Sequence, residues 1–166
     1  MSIVYLSIGT NLGDKLENLR EAIKRLKNVE NINLLKVSSI YETQPYGNKN
    51  QDNFYNIAVK LSTNLEPAEL CSQLKKIEKE MGRVASEKWG PRIIDLDIIF
   101  YDDLIYDDYK LHIPHLESAK RDFVIFPIIE IESDFYHPRE KIFLKDINFD
   151  ENEKTIIKIA NEKLNL

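Results

Sequence analysis

Two aspartates in the second half of the chain have the spacing that most clearly suggests chemistry. Asp95 and Asp97 lie within an apolar, β-prone stretch from Ile93 to Tyr101. Alternate side chains of a strand share one face, so both carboxylates would point the same way, with Cα atoms about 6.5–7 Å apart. That separation would let them bind a pair of divalent ions ~3.5–4 Å apart, and their oxygen ligands suit Mg²⁺. A solvated strand face with two ordinary aspartates would show the same spacing.

Side chains that could bind an anion occur on both sides of this aspartate pair. The nearest candidates are Arg83, Arg92, His115 and Arg121. A polyphosphate transition state spreads charge over several oxygens and needs such cations nearby. The turn of residues 9–13 lacks the GK[ST] ending of a P-loop, so side-chain cations and a metal would have to hold a nucleotide. Taken singly, each arginine is more often a partner in a surface ion pair.

The elements expected to position these residues alternate between strand and helix. Hydrophobic periodicity predicts them at residues 3–8 (strand), 16–26 (helix), 32–41 and 54–61 (strands), 67–81 (helix) and 93–101 (strand). The order β-α-β-β-α-β is that of a ferredoxin-like core. We therefore predict an α+β fold, with a mainly antiparallel sheet, helices on both faces and the two crossover helices sharing one of them. Either Asn11 or Asp14 would cap the first helix.

The other segments complete one predicted domain over residues 1–166. A polar loop covers residues 43–52, and long loops in compact domains often carry function. We expect residues 104–113 to form an edge strand and residues 123–131 to form a short helix or a buried segment. The lysine- and asparagine-rich tail, residues 143–166, is expected to form a peripheral helix.

The composition limits the class of protein. The chain has 166 residues, of which 43% are hydrophobic, and a formal net charge of −5. A negative balance argues against binding to nucleic acid or an anionic membrane, because both need a broad basic face. The single Cys71 cannot form an internal disulfide, and the N-terminal residues do not read as a signal peptide or a membrane span. We expect a cytoplasmic protein that acts on small molecules and has no obligate protein partner.

Several motifs occur in the order found in one enzyme family. They are Tyr-Glu-Thr-x-Pro-x-Gly from residue 41, Phe-x-Asn from 54, Gly-Arg at 82–83, Trp-Gly-Pro-Arg-x-x-Asp-Leu-Asp-Ile from 89, and Pro-His at 114–115 followed by Arg-Asp-Phe at 121–123. Over about residues 3–140 the chain resembles the 6-hydroxymethyl-7,8-dihydropterin pyrophosphokinases of folate biosynthesis. The resemblance implies transfer of the β,γ-pyrophosphoryl group from ATP to the pterin hydroxymethyl oxygen, with release of AMP and participation of two Mg²⁺ ions.

The resemblance also implies roles for individual residues. Asp95 and Asp97 match the metal ligands, and Arg83 and Arg92 match the loop arginines that embrace the phosphates. As a separate hypothesis, we expect a bound metal to acidify the acceptor hydroxyl, with Asp97 or Asp95 accepting its proton. The positions that match ATP contacts are Glu78, Trp89 (in the lid loop), Ile98, Lys110, His112, His115 and Arg121. Those that match the pterin pocket are Thr43, Pro45, Tyr46, Phe54, Asn56 and Phe123. The chemistry agrees, because two phenylalanines can sandwich a flat heterocycle and an asparagine can both donate to and accept from its edge.

The chain departs from the family pattern mainly in the loop after Arg83. This loop is one residue shorter than expected and lacks a second arginine, while Lys88 and Lys110 stand where arginine is common and Leu116 replaces an aromatic residue. Lysine keeps the charge but loses bidentate phosphate geometry.

Three other functions stay open on the sequence. The sheet could be an RNA- or peptide-binding module, as ferredoxin-like sheets often are. The site could belong to another Mg²⁺-dependent transferase, such as a nucleotidyltransferase that releases pyrophosphate. The chain could also be a relative that binds both ligands and turns them over slowly.

Overall fold

The computed structural model describes residues 1–85 and 89–166. Within these residues the chain forms three α-helices, a six-stranded sheet and two short hairpins. In chain order the elements are β1 (Ser2–Thr10), α1 (Lys15–Lys27), β2 (Ile32–Val37), β3 (Tyr41–Thr43), β4 (Phe54–Thr63), α2 (Pro67–Glu80), β5 (Asp95–Tyr101), β6 (Tyr106–Asp107), β7 (His112–Ile113), α3 (Asp122–Ile131), β8 (Tyr136–His137), β9 (Ile142–Phe143) and β10 (Ile156–Ile159).

The main sheet is antiparallel throughout and has the order β10-β3-β4-β1-β5, with β2 also paired to β4. Because β1 lies between β4 and β5, the helices α1 and α2 each connect strands that are not neighbours. This arrangement confirms the predicted α+β fold with a ferredoxin-like core. It also makes β5 an edge strand, which leaves part of its backbone free to bond with side chains.

The two crossover helices pack on one face of the sheet. Asp14 caps α1 by accepting the Glu17 backbone N–H at 3.0 Å, which decides between the two predicted capping residues. Helix α2 begins with Pro67, where the missing N–H costs nothing. The apolar stripes of both helices bury against the sheet in one cluster, which includes Leu19, Ile23, Leu26, Leu70, Leu74 and Ile77.

Helix α3 covers part of the opposite face. Its residues Val124, Ile125 and Ile128 are buried against Tyr5 and Phe100, among others. The helix confirms one of the two alternatives predicted for residues 123–131, and it places helices on both faces of the sheet. Past Ala58, at the end of the sheet where β5 carries Asp95 and Asp97, α3 does not cover this face, and a cleft opens there.

The predicted peripheral helix over residues 143–166 is wrong. After Phe143 the chain makes two short 3₁₀ turns and then forms β10, which pairs antiparallel with β3. The run Thr155-Ile156-Ile157-Lys158-Ile159 is rich in β-branched residues, which fit a strand better than a helix. The free edge of β3 provides a hydrogen-bonding partner for this segment, and this pairing favours a strand over a helix.

The predicted edge strand over residues 104–113 is also wrong in extent. Only β6 and β7 are extended, they pair with each other rather than with the main sheet, and a turn separates them. The turn forms because the Asp108 carboxylate accepts the backbone N–H groups of Lys110 and Leu111, both at 2.7 Å. The predicted strand of residues 32–41 is likewise divided into β2 and β3.

None of the helices within residues 1–85 and 89–166 has the length and apolar character needed to cross a membrane.

Candidate active site

A cleft of about 320 Å³ opens on the part of the sheet that α3 leaves uncovered. Gly9 of β1 lies opposite Asn56 of β4 on one side and Asp95 of β5 on the other, and Ser7 lies opposite Asp97. Because glycine and serine occupy little volume, the central strand leaves space between the carboxylates of β5 and the amide of β4. The floor of the cleft therefore has an acidic side and an amide side.

Most of the predicted site residues line this one cleft. They are Thr43, Tyr46, Phe54, Asn56, Arg83, Trp89, Arg92, Asp95, Asp97, His115, Arg121 and Phe123. The remaining predicted residues lie elsewhere. Pro45, Glu78 and Ile98 are buried, whereas Lys110 and His112 lie on the hairpin of β6 and β7. Lys88 falls outside the described residues.

Both oxygens of Asp95 are paired with arginines. Arg83 Nη1 donates to Oδ1 at 2.6 Å, and Arg92 Nη1 donates to Oδ2 at 2.9 Å. The same Arg83 nitrogen lies 2.7 Å from Glu78 Oε2, so it bridges two carboxylates. The two arginines predicted to bind phosphates are therefore held against the predicted metal ligands. A phosphate and a cation that enter the cleft would have to exchange with these partners.

Asp97 has a different environment from Asp95. Its side chain is 32% exposed, and its ion-pair partner among the described residues is Lys75, whose Nζ lies 3.9 Å away, at the outer limit of an ion pair. Burial of the carboxylate and the charge of Asp95 raise the pKa of Asp97 to about 6. Asp97 is therefore the less compensated carboxylate of the pair, and a cation in the cleft would relieve it.

Glu78 of α2 is buried next to the acidic side of the cleft and bonds to several of its residues. Its side chain is 4% exposed, and Oε1 accepts the Leu96 backbone N–H at 2.7 Å and a hydrogen bond from Lys75 at 3.1 Å. Leu96 lies on the edge strand β5, so Glu78 satisfies a backbone donor and at the same time positions two cations. Burial of this carboxyl raises its pKa.

His115 lies in the cleft as a neutral imidazole. Burial and the nearby charge of Arg121 lower the pKa of His115 to about 4. Its Nδ1 accepts the Glu117 backbone N–H at 3.3 Å, which makes Nε2 the protonated nitrogen of the neutral ring. His115 can therefore donate one hydrogen bond to a ligand at neutral pH but brings no positive charge.

Aromatic rings form another part of the cleft lining. Tyr46 contacts the edge of Trp89 at a centroid distance of 6.2 Å and lies 6.4 Å from Phe123. The Arg121 guanidinium lies 5.5 Å from the Tyr46 centroid and 5.9 Å from that of Phe123. Phe54 lines the cleft as well. Rings of this kind provide flat surfaces against which a heterocycle can stack.

The amide side of the floor is fixed in one orientation. Asn56 Nδ2 donates to Thr43 Oγ1 at 2.7 Å, and Asn56 is almost fully buried. A Cβ on Gly9 would lie only 2.5 Å from Asn56 Oδ1. The hydrogen bond to Thr43 thus fixes the Asn56 amide on one side. On the other side, Gly9 leaves the space that the amide oxygen occupies.

Two loops meet across the mouth of the cleft. The Asn11 side chain donates to Gln51 Oε1 and to the Asp52 carbonyl, both at 2.9 Å, and accepts the Arg92 backbone N–H at 2.8 Å. Gln51 Nε2 in turn donates to the Trp89 carbonyl at 2.6 Å. These contacts join the loop of residues 44–53 to residues 89–92, so the two loops that carry ring and cation residues are linked.

The cleft also includes residues that the sequence reasoning did not select, namely Ser7, Gly9, Gln44, Lys75, Gly90, Ile99 and Val124. Lys75 could have been found, because it lies one helical turn before Glu78 on the same face of α2. Ser7 and Gly9 matter because they are small, and the strand pairing that places them between Asn56 and the aspartates is not visible in the sequence.

The carboxylates fit a cation that arrives with a polyphosphate. Mg²⁺ in proteins usually takes one or two carboxylates and completes its shell with water and phosphate oxygens. Asp95 and Asp97 supply such oxygens from one strand face. Across residues 1–85 and 89–166 there is no group of three or more His, Cys, Asp or Glu side chains that could hold a metal ion.

Comparison with known proteins shows which family the chain resembles. The model of the 7,8-dihydro-6-hydroxymethylpterin-pyrophosphokinase family matches residues 5–133. The chain is 42% identical over 146 residues to the 2-amino-4-hydroxy-6-hydroxymethyldihydropteridine pyrophosphokinase of Aquifex aeolicus, covering 88% of this chain and 90% of that protein. It is 38% identical over 142 residues to the protein of the same name from Haemophilus influenzae, covering 86% and 89%.

Solved structures with the same fold belong to longer chains. The HPPK-DHPS of Plasmodium falciparum matches with a TM-score of 0.66 at 16% identity, over 89% of this chain and 43% of that one. An HPPK-DHPS crystallised with substrates matches with a TM-score of 0.71 at 16% identity, over 88% and 42%. This chain thus spans about two-fifths of those proteins, and at such identity the likeness shows the fold alone. The sequence matches carry the assignment further: the chain belongs to the 7,8-dihydro-6-hydroxymethylpterin-pyrophosphokinase family.

Proposed function

We propose that the chain transfers the pyrophosphoryl group of ATP to the hydroxymethyl oxygen of 6-hydroxymethyl-7,8-dihydropterin, releasing AMP, as a step of folate biosynthesis. The observation that carries this proposal is the division of one cleft into two halves. An amide and aromatic half suits a flat heterocycle, and a half with carboxylates and arginines suits a polyphosphate. Gly9 and Ser7 separate the halves by the width of one strand, so the two ligands would meet above β1.

The amide half would bind the pterin. Asn56 offers a donor and an acceptor to the pterin edge, and its bond with Thr43 fixes which way the amide faces. Phe54 and Phe123 would stack on the ring, and Tyr46 and the buried Pro45 would shape the loop above it. Aromatic contacts of this kind each add about 0.5–1.5 kcal/mol beyond their buried area.

The charged half would bind the nucleotide and its phosphates. Arg83 and Arg92 would leave Asp95 for the phosphates and stabilise the charge that develops on their oxygens during transfer. His115 and Arg121, which also line the cleft, would contact the nucleotide as well. Trp89 and the described residues of the same segment, 83–85 and 90–92, would close over the cleft and exclude water, while residues 86–88 of the predicted lid loop lie outside the described residues.

The predicted ATP residues outside the cleft would act at its margins. The hairpin of β6 and β7 leads directly into His115, so a nucleotide that extends beyond the cleft could reach Lys110 and His112. The Ile98 position on β5 would serve through its backbone, since its side chain is 4% exposed. Glu78 would act through Arg83 and Lys75 rather than by direct contact.

We also propose that the reaction depends on Mg²⁺, with Asp95 and Asp97 as the ligands of two ions. When bound, the ions would neutralise phosphate charge and lower the pKa of the acceptor hydroxyl. Lys75, which faces Asp97, would keep the site compensated before the ions arrive.

The reaction is tested by ³¹P NMR of the protein with ATP, Mg²⁺ and 6-hydroxymethyl-7,8-dihydropterin. We expect AMP to accumulate together with a new pair of coupled diphosphate signals. Formation of ADP would indicate transfer of a single phosphoryl group, and release of free pyrophosphate would indicate a nucleotidyltransferase. Either result would contradict the proposal. Omitting Mg²⁺ and adding a chelator tests the metal dependence in the same experiment.

Gly9→Ala is expected to weaken pterin binding about tenfold or more, because the new methyl group would displace the Asn56 amide. The affinity for ATP should change less than about twofold, since the carboxylate side of the cleft is unaffected. Fluorescence titration with each ligand measures both quantities. Ser7→Ala is the matched control, because it lies on the same face of β1 and removes atoms instead of adding them. Equal pterin affinities of the wild type and Gly9→Ala would rule out this role for Asn56.

A further inference from the structure

Asp122 is a buried carboxylate between two residues of the cleft. It is the first residue of α3, and its neighbours Arg121 and Phe123 both line the cleft. Asp122 itself is 2% exposed. None of the roles assigned above uses it, yet a carboxylate in such a position is costly unless its oxygens are fully bonded.

Each carboxylate oxygen of Asp122 accepts two hydrogen bonds. Oδ1 accepts the Thr155 hydroxyl at 2.5 Å and the Phe123 backbone N–H at 2.8 Å. Oδ2 accepts the backbone N–H groups of Thr155 at 2.7 Å and Ile156 at 3.0 Å. An acidic residue at a helix start ordinarily bonds to its own first turn. Here three of the four donors come from a segment more than 30 residues away.

That segment lies behind residues that line the pterin half of the cleft. The Thr155 carbonyl accepts the Gln44 backbone N–H at 2.8 Å, and Ile156 lies opposite Thr43 in the pairing of β10 with β3. Gln44 lines the cleft, and Thr43 holds the Asn56 amide. A continuous path of hydrogen bonds and strand pairing therefore runs from Asp122 through Thr155 to Asn56.

The geometry points to Asp122 as a positioning residue for the pterin pocket. We infer that it fixes the C-terminal strand β10 to the start of α3, and so sets the spacing between the wall with Phe123 and the wall with Thr43. This inference rests on the proposed function, because the pocket is taken to bind the pterin. It extends the pocket's support to residues 155–160, which lie beyond the 5–133 range matched by the family model.

Substitution of Asp122 should therefore affect one substrate more than the other. In Asp122→Asn the amide nitrogen would face two donors whichever way the side chain turns, because each carboxylate oxygen accepts from two. We expect the dissociation constant for the pterin to rise about tenfold or more. The dissociation constant for ATP and kcat at saturating pterin should stay within about threefold of wild type.

A second pair of variants tests the same contact without the charge change. Thr155→Val removes the hydroxyl donor and keeps the two backbone bonds, so pterin affinity should fall by about threefold to fivefold. Thr155→Ser retains the hydroxyl and should behave as the wild type. Hydrogen exchange of the segment 40–46 should be faster in Asp122→Asn and Thr155→Val than in Thr155→Ser.

Glu130→Gln is the control for a general loss of stability. Glu130 also joins α3 to the region of β3, through Ser39 at 2.8 Å and the Tyr41 hydroxyl at 2.7 Å, but neither it nor these partners line the cleft. This variant should lower the melting temperature and leave pterin affinity unchanged.

The outcomes distinguish the inference from the function on which it rests. Pterin affinity that is unchanged in Asp122→Asn and in Thr155→Val, or reduced equally in Glu130→Gln, would overturn the inference. If Asp122→Asn does not fold, the comparison of Thr155→Val with Thr155→Ser decides by the same criterion. A wild-type chain that binds no pterin would refute the proposed function and the inference with it, and this is seen before any substitution is made.

Discussion

Asp97→Asn is expected to abolish turnover while making the folded protein more stable at neutral pH. Loss of the carboxylate removes a proposed metal ligand, so kcat should fall about a thousandfold or more. The fold should gain stability because the Asp97 carboxylate is partly desolvated in the cleft beside Asp95, and among the described residues its one ion pair is the long contact with Lys75 at 3.9 Å. A pKa raised to about 6 corresponds to a gain on the order of 1–3 kcal/mol when the charge is removed.

The gain in stability should depend on pH in a defined direction. A carboxyl whose pKa is higher in the folded state costs the fold stability as the pH rises above its ordinary pKa of 3.8, and the cost is complete once the pH passes the folded-state pKa of about 6. The difference between Asp97→Asn and wild type should therefore be fully present at pH 7 and above and disappear as the pH falls towards 4. His115 contributes in the opposite sense, because its pKa is lowered to about 4, so that its protonation destabilises the fold below its ordinary titration range.

Urea denaturation of the ligand-free protein between pH 4 and 8 measures this effect, with Asp95→Asn as the matched control. The two substitutions are isosteric and lie two residues apart on one strand face. Asp95→Asn should also abolish turnover, but it should destabilise the fold by about 1–3 kcal/mol, because it leaves Arg83 and Arg92 without their shared partner. Retained activity in Asp97→Asn, or stability changes of the same sign in both variants, would contradict this account of the site.

Arg92→Ala is expected to lower kcat by about a hundredfold to a thousandfold with little change in the KM for ATP. Arg92 donates to Asp95 at 2.9 Å, so it must leave this partner to reach the phosphates, and we expect the new contact to strengthen as charge develops on the phosphate oxygens during transfer. An interaction that strengthens in the transition state affects kcat rather than KM. A coupled assay for AMP, with ATP varied at saturating pterin, separates the two constants.

Arg92→Lys is the control, because it keeps the positive charge and loses the two-pronged geometry of the guanidinium. We expect an intermediate loss of kcat, on the order of tenfold. The Arg92 backbone contacts with Asn11 do not involve the side chain, so both variants should retain the link between the two loops. An effect confined to KM would mean that Arg92 binds the ground state of ATP and contributes nothing specific to transfer.

The sequence predicts the residues of the cleft better than it predicts their partners. Alternation along residues 93–101 and 54–61 places Asp95, Asp97 and Asn56 on strand faces that line the cleft in the structure. The pairing of Arg83 and Arg92 with Asp95 could not be predicted, because it depends on how the ends of α2 and β5 approach one another. The role of Gly9 was equally hidden, since it depends on strand register.

The C-terminal tail shows why some elements could not be predicted from the sequence alone. The apolar residues of the tail fit a helix or a strand, and only the free edge of β3, a feature of the assembled sheet, decides in favour of β10. The turn at Asp108 shows the same competition, because a side chain that bonds to the local backbone ends an otherwise strand-like run. The single-domain assignment of residues 1–166, the individual site roles and the cytoplasmic location stay predictions.

The ion pairs around Asp95 have a consequence for how substrate reaches the protein. Three basic and three acidic side chains lie in one network, so their charges cancel; they are Lys75, Arg83, Arg92, Glu78, Asp95 and Asp97. Arg121, which also lines the cleft, leaves only a small positive balance there. A nearly neutral cleft on a chain with a net charge of −5 exerts little long-range attraction on an anionic nucleotide, and salt screens what remains within about 8 Å. Nucleotide capture would therefore be largely indifferent to ionic strength and would be driven by the exchange of partners after contact.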